Sequence, residues 1–200
     1  MPAPSRWHQD HHNQNLFSRK DSDGHQSKQG TTVDIGLQKI GVGLGWDPAK
    51  TGQDFDLDAS AFLLGANNKI PADEFFVFYN NTQSPDGAVT SSGDDRTGGN
   101  SDGDDETLTL DLGKVDPRVE QIIFTVTIHD YESRRQNFGQ VRNSFIRIYD
   151  AASGDEICKY ELDEDFSVET AVEFGRLYKR NGAWRFEAWA WPPPVVSRPM

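Results

Sequence analysis

The feature that most constrains this chain is a strict alternation of side-chain character that begins near residue 31. In QIIFTVTIHD, Ile122, Phe124, Val126 and Ile128 fall on one side of an extended backbone, and Ile123, Thr125, Thr127 and His129 fall on the other. A period of two puts successive side chains on opposite faces of a strand, so the first set reads as core. Similar runs, rich in β-branched and aromatic residues and separated by Gly, Asn, Asp and Pro, occur at 33–37, 40–46, 55–64, 74–80, 107–112, 120–129, 143–149, 156–161, 170–178 and 183–191. Ten such runs without a long amphipathic helix predict an all-β chain, a β-sandwich of two mainly antiparallel sheets with short helices or turns in the loops. Asn181-Gly182 lies between the last two runs, and both positions of a two-residue hairpin turn favour residues that tolerate positive φ. Runs 170–178 and 183–191 are therefore expected to pair antiparallel.

Residues 1–30 break the pattern. They hold His8, His11, His12 and His25 among Gln, Asn, Ser, Asp and Lys, with almost nothing apolar to bury. That composition reads as a disordered polar extension, with transition-metal capture by His8, His11 and His12 as the functional alternative. Residues 31–192 read as one sandwich domain and 193–200 as a short Pro-rich tail. The 200-residue chain carries a net charge of −12, and residues 31–200 hold 29 of its 32 acids but only 16 of its 20 Lys and Arg. Phosphate backbones and anionic lipid faces call for the opposite sign, so the acidic domain points away from nucleic acid and towards cations or basic proteins. No apolar run reaches the ~18 residues of a membrane span, and the N-terminus lacks the apolar centre of a secretory signal, which together suggest a cytoplasmic protein. A single cysteine, Cys158, excludes an internal disulfide, a cysteine-cluster zinc site and a dithiol redox centre.

The glycines of IGVGLGWD do not make a nucleotide site. Gly41, Gly43 and Gly45 alternate, Trp46 takes the sixth position and Asp47-Pro48 follows where a helix is needed. On a strand they leave a flat face for close approach by another backbone or a ligand, while Val42, Leu44 and Trp46 enter the core. Nor is there a GxxxxGK[ST] phosphate loop.

Two acidic constellations remain. In TGQDFDLDASAFLL, Asp54, Asp56 and Asp58 alternate with Phe55, Leu57 and Ala59, which places the aspartates on one strand face. The spacing superficially matches a helix-loop-helix calcium loop, but Ala59 stands where glycine is required and Gly65 where glutamate is required. In GDDRTGGNSDGDDE, at 93–106, six carboxylates accompany one arginine, Arg96. Carboxylates ~6 Å apart repel by about 3 kcal/mol each at a surface dielectric. Either this stretch is a solvated loop, or Asp94, Asp95, Asp104, Asp105 and Glu106, with Thr97 as a hydroxyl or carbonyl donor, gather against Asp56 and Asp58 around a divalent ion. Calcium suits such a set, since it takes six to eight oxygens from carboxylates, hydroxyls and carbonyls.

Weaker signals point elsewhere. His129-Asp130 at a strand end invites a metal-dependent phosphoester hydrolase, although neighbours on a strand point apart and no nucleophile elbow is present. Arg134, Arg135 and Arg142 could bind an anion or pair with the acidic face. A third reading is an ion-free interaction module whose acidic face takes a basic partner.

Taken in order, VGLGWD, DFDLDASAFLL, FVFYNN, SPDGAV, GDDRTG followed by GDDE, TIHD, NFGQVRNSFIRI and ETAVEFGRLYKRNGAWRF closely resemble the tellurium-resistance TerD family of stress proteins, from about residue 33 to 188. The resemblance implies a non-enzymatic, calcium-binding cytoplasmic β-sandwich that acts in tellurite, oxidative, colicin and phage stress. It also implies assembly with other proteins of that system near a membrane protein. Asp94, Asp95, Arg96, Thr97 and Gly98, then Gly103, Asp104, Asp105 and Glu106, match the family's acidic pattern, with Asp95 standing where the family usually has asparagine. Asp56 and Asp58 match its DFDLDAS motif, and Asp47 its aspartate after GLGW, which adds Asp47 to the expected calcium ligands. A slime-mould relative that binds cyclic AMP adds a cyclic-nucleotide expectation. Direct reduction of tellurite is not expected of a chain with one thiol.

Overall fold

The computed structural model describes residues 32–34, 38–50, 52, 54–99 and 103–188. Among the described residues, eleven strands form two antiparallel sheets. The first sheet runs β1 (Thr32–Asp34), β11 (Ala183–Ala188), β10 (Ala171–Arg180), β7 (Val119–Ile128), β3 (Leu57–Gly65) and β4 (Phe76–Val77). The second runs β5 (Val89–Ser91), β6 (Glu106–Asp111), β2 (Lys39–Asp47), β8 (Arg142–Asp150) and β9 (Glu156–Glu161). The only α-helices among the described residues are single turns, α1 (Tyr131–Arg134) and α2 (Leu162–Asp165). The alternating pattern thus translates into an all-β sandwich, as expected. Residues 1–30 with their histidines, expected to form a polar extension, the expected tail at 193–200 and residues 189–192 lie outside the described residues.

The core is the sum of the alternating faces. Ile122, Phe124, Val126 and Ile128 of β7 and Val42, Leu44 and Trp46 of β2 are all buried in one hydrophobic cluster. The hairpin between β10 and β11 turns at Asn181 and Gly182, whose φ values of 54° and 78° explain why those two residue types stand there. Arg180 pairs with Ala183 across it.

The sequence differs from the structure at 74–80. Strand pairing there is limited to Phe76 and Val77, after a one-turn 3-10 helix at Asp73–Phe75. The Asn81 side-chain amide donates to the carbonyls of Glu74 and Phe76, and Phe78 and Asn81 exchange backbone hydrogen bonds, so the chain reverses instead of extending. Strand β5 was not expected at all. Three residues are too short for alternation to register, and β5 is held by its pairing with β6.

The alternate glycines of β2 work as close-approach positions for side chains. A methyl group on Gly41, Gly43 or Gly45 would run into Tyr149, Asp104 or Phe145 respectively. Gly43 makes room for Asp104, which accepts two hydrogen bonds from Arg147, Nε at 2.8 Å and Nη2 at 3.0 Å. Gly43→Ala is therefore expected to lower the unfolding free energy in urea by about 1–3 kcal/mol, the usual cost of overpacking. Gly103→Ala, whose added carbon meets nothing within 4 Å, should stay within about 0.5 kcal/mol of the parent.

Candidate metal centre

Leu57, Ala59, Ala61 and Leu63 of β3 fill the core, so Asp56, Asp58, Ser60 and Phe62 alternate onto the outer face. At this end of the sheet Leu57 pairs with Ile128 and Asp58 with Thr127, and the His129 N–H donates to the Asp56 carbonyl at 2.8 Å. The ladder thus brings His129 beside the aspartates. The 92–99 loop enters from the second sheet, anchored where the Ser92 N–H donates to the Thr107 carbonyl at 2.8 Å. It delivers Asp94, and one carboxylate oxygen from each of Asp56, Asp58 and Asp94 then lies within 4.8 Å of the others.

That spacing has a direct reading. Oxygens sharing a calcium ion at 2.3–2.6 Å are separated by at most about 5 Å. Without a cation, each pair of charges at that range repels by about 3 kcal/mol at a surface-like dielectric. Asp56 is 7 % exposed and Asp58 5 % exposed, and the Asp56 Oδ1 is buried without a hydrogen-bond donor among the described residues. Burial, followed by the neighbouring Asp94, raises the Asp56 pKa. Burial, then Asp56 and Asp94, pushes Asp58 up to about 6. A donor-free carboxylate oxygen among like charges is a group in search of a cation, and an all-oxygen set fits a hard ion such as calcium.

Glu106 braces this arrangement. Strand β4 pairs only with Ala61 and Phe62, so the Ala59 N–H has no strand partner and donates to Glu106 Oε2 at 2.9 Å. The Asp95 N–H donates to Glu106 Oε1 at 3.1 Å. One carboxylate therefore ties the residue after Asp58 to the residue after Asp94. Burial outweighs these two donors and pushes Glu106 up to about 8.

The other expected ligands occupy separate places. Asp95 Oδ1 accepts from the Thr97 N–H, the Thr97 hydroxyl and the Gly98 N–H, which closes the loop. Thr97 itself lines the cavity beside the aspartates. Asp105 accepts from the Trp46 N–H at 2.8 Å, Asp104 pairs with Arg147, and Asp47 accepts from the Asn143 amide at 2.7 Å. Residues 100–102 of the acidic stretch lie outside the described residues. Of the three arginines after His129, only Arg134 reaches the cavity, and the Asp130 carboxylate takes the Ser133 hydroxyl at 2.7 Å.

The cavity measures about 500 Å³ and is lined by Asp54, Asp56, Asp58, Asp94, Thr97, Tyr79, Arg96, His129 and Arg134, with Gly52. Tyr79 and His129 meet edge to face at 6.2 Å. Pattern reading missed Tyr79, because it sits in a run expected to be regular strand.

A two-sheet antiparallel sandwich with a carboxylate cavity at one end defines an acidic all-β domain. The TerD domain family matches residues 26–191, and the chain belongs to that family. Tellurium resistance protein TerD from an Alcaligenes species is 56% identical over 153 residues, covering 76% of this chain and 79% of the relative. General stress protein 16U from Bacillus subtilis is 48% identical over 160 residues, covering 79% and 82%. The crystal structure of a homologue of telluride resistance protein (TerD) from Streptomyces coelicolor superimposes with a TM-score of 0.65 at 26% identity, covering 76% of this chain and 89% of that one. The family is thus one of tellurium-resistance and general stress proteins. No helix among the described residues is long and apolar enough to cross a membrane.

The buried acids set a pH dependence. Folded Glu106 keeps its proton up to about 8, whereas the unfolded chain releases it near 4.5. Between those values the unfolded state alone is ionised, so stability falls as pH rises. Asp58, at about 6 against 3.8, adds to the decline at the lower end of the window. In chelator, the unfolding free energy in urea should drop by on the order of a few kcal/mol from about pH 5 to pH 8. A flat or rising profile would contradict this.

Proposed function

We propose that this chain is a cytoplasmic, non-enzymatic, calcium-binding protein of the tellurite and chemical-stress response, extending to phage resistance, that acts as an interaction module for other proteins of that system. The observation that carries this reading is the carboxylate trio of Asp56, Asp58 and Asp94, with the donor-free Asp56 Oδ1. Those three residues would hold the ion, and Thr97, lining the same cavity, would add an oxygen. The ion supplies counter-charge: it ties the start of β3 to the 92–99 loop and fixes the surface they share. Calcium is favoured over magnesium because magnesium demands a tight octahedral shell and gives up water reluctantly. Membership of the TerD family and kinship with a general stress protein support the physiological part of the reading.

Calorimetric melting tests it. At a hundredfold excess over its dissociation constant, calcium should stabilise the fold by about 2.7 kcal/mol. For a domain of this size that corresponds to a rise in Tm of about 5–10 °C, reversed by a chelator. Asp56→Asn combined with Asp58→Asn should abolish the rise. Asp104→Asn, on the Arg147 pair, should lower Tm with and without calcium and leave the calcium increment in place. An unchanged Tm from micromolar to millimolar calcium would refute the proposal.

A further inference from the structure

A cavity of about 500 Å³ is far larger than a cation and its oxygens need, and falls within the range of about 300–1,000 Å³ typical of small-molecule sites. Its lining is also mixed in sign. Four aspartates, Asp54, Asp56, Asp58 and Asp94, share the wall with Arg96, Arg134 and His129. Arg134 makes no ion pair among the described residues; its Nη1 has one long hydrogen bond, 3.5 Å, to the Asp54 carbonyl. Arg96 holds Asp94 through Nε at 2.9 Å, and its side chain is 76% exposed, which leaves its terminal N–H groups available. His129 is exposed at the rim, with its ring against Tyr79.

We infer that the cavity takes a small phosphomonoester or similar dianionic oxyanion together with a divalent cation, with Arg134, His129 and the terminal N–H groups of Arg96 as its anion contacts. The inference rests on the calcium reading above. Four carboxylates against two guanidiniums give the empty cavity a net negative charge that repels an anion, and a divalent cation cancels it. Uptake of the anion is therefore conditional on the cation. Guanidinium groups then act as charge-assisted donors to the anion's oxygens, and the remaining oxygens complete a shell that three carboxylates leave short of six to eight ligands. Asp56 Oδ1, buried in this wall without a donor among the described residues, marks where the cation would sit.

The test uses the full chain and glycerol 2-phosphate as probe, by titration calorimetry and by NMR of the His129 ring. The expected result is binding at saturating calcium, none in chelator, and a shift of the His129 resonances on addition of the probe. Arg134→Gln should weaken the probe at least tenfold, as loss of a charged hydrogen bond of about 1.5–3 kcal/mol requires, with calcium affinity unchanged. Vesicles containing phosphatidic acid separate the two sources of this chemistry. The chain's net charge of −12 opposes a charged bilayer, so binding of the soluble probe without co-sedimentation is expected, whereas calcium-dependent co-sedimentation would support the same anion site with a lipid headgroup as its source. Calcium binding without any response to glycerol 2-phosphate or vesicles overturns the anion site and leaves the calcium reading standing. Equal probe affinity in Arg134→Gln with an unmoved His129 ring also overturns it. Failure of calcium itself to bind removes both.

Discussion

Asp58 on the outer face of β3 and Asp56 just before it stand where water would ordinarily solvate them, yet both are more than nine-tenths buried and face Asp94 across less than 5 Å. Like charges in that position raise each other's pKa and leave the isolated protein with a choice between taking protons and taking a cation. The rest of this end of the molecule is organised around that tension. Glu106 sets the spacing by accepting backbone N–H groups from both sides, and the β3–β7 ladder fixes the aspartates relative to His129. A metal ion here would neutralise a repulsion that the fold has already assembled.

Asp95 illustrates how the loop handles its excess charge. Its Oδ1 receives three donors from Thr97 and Gly98. An asparagine carbonyl could accept the same three, so the loop closure does not depend on the carboxylate charge, and the negative charge strengthens each bond. Asp95, expected from the sequence as a ligand, shapes the turn that presents Asp94.

The architecture was readable because alternation is a local signal. Ile122, Phe124, Val126 and Ile128 declared their face without knowledge of any partner, and Asn181-Gly182 declared its turn through φ alone. The convergence of Asp56 and Asp58 with the 92–99 loop was legible as a problem of charge, and all three members of the trio were among the expected ligands, but nothing in the sequence singled them out from the other acids. Asp104, Asp105 and Glu106 look equivalent in a row of acids, and their fates are decided by partners 43 to 59 residues away, Arg147, Trp46 and Ala59. No pattern within the stretch itself encodes those distances. The short β5 and the reversal after Val77 escaped for the same reason, since each depends on hydrogen bonds from outside its own segment.

The Asp104-Asp105-Glu106 step also joins the two sides of the sandwich. Asp104 is seated over the Gly43 backbone with Arg147, Asp105 is fastened to the Trp46 amide, and Glu106 spans the gap to β3. Three consecutive residues are anchored at three addresses. Two peptide units thus separate the brace on one side from the guanidinium on the other, making the tripeptide a short span through the thickness of the molecule.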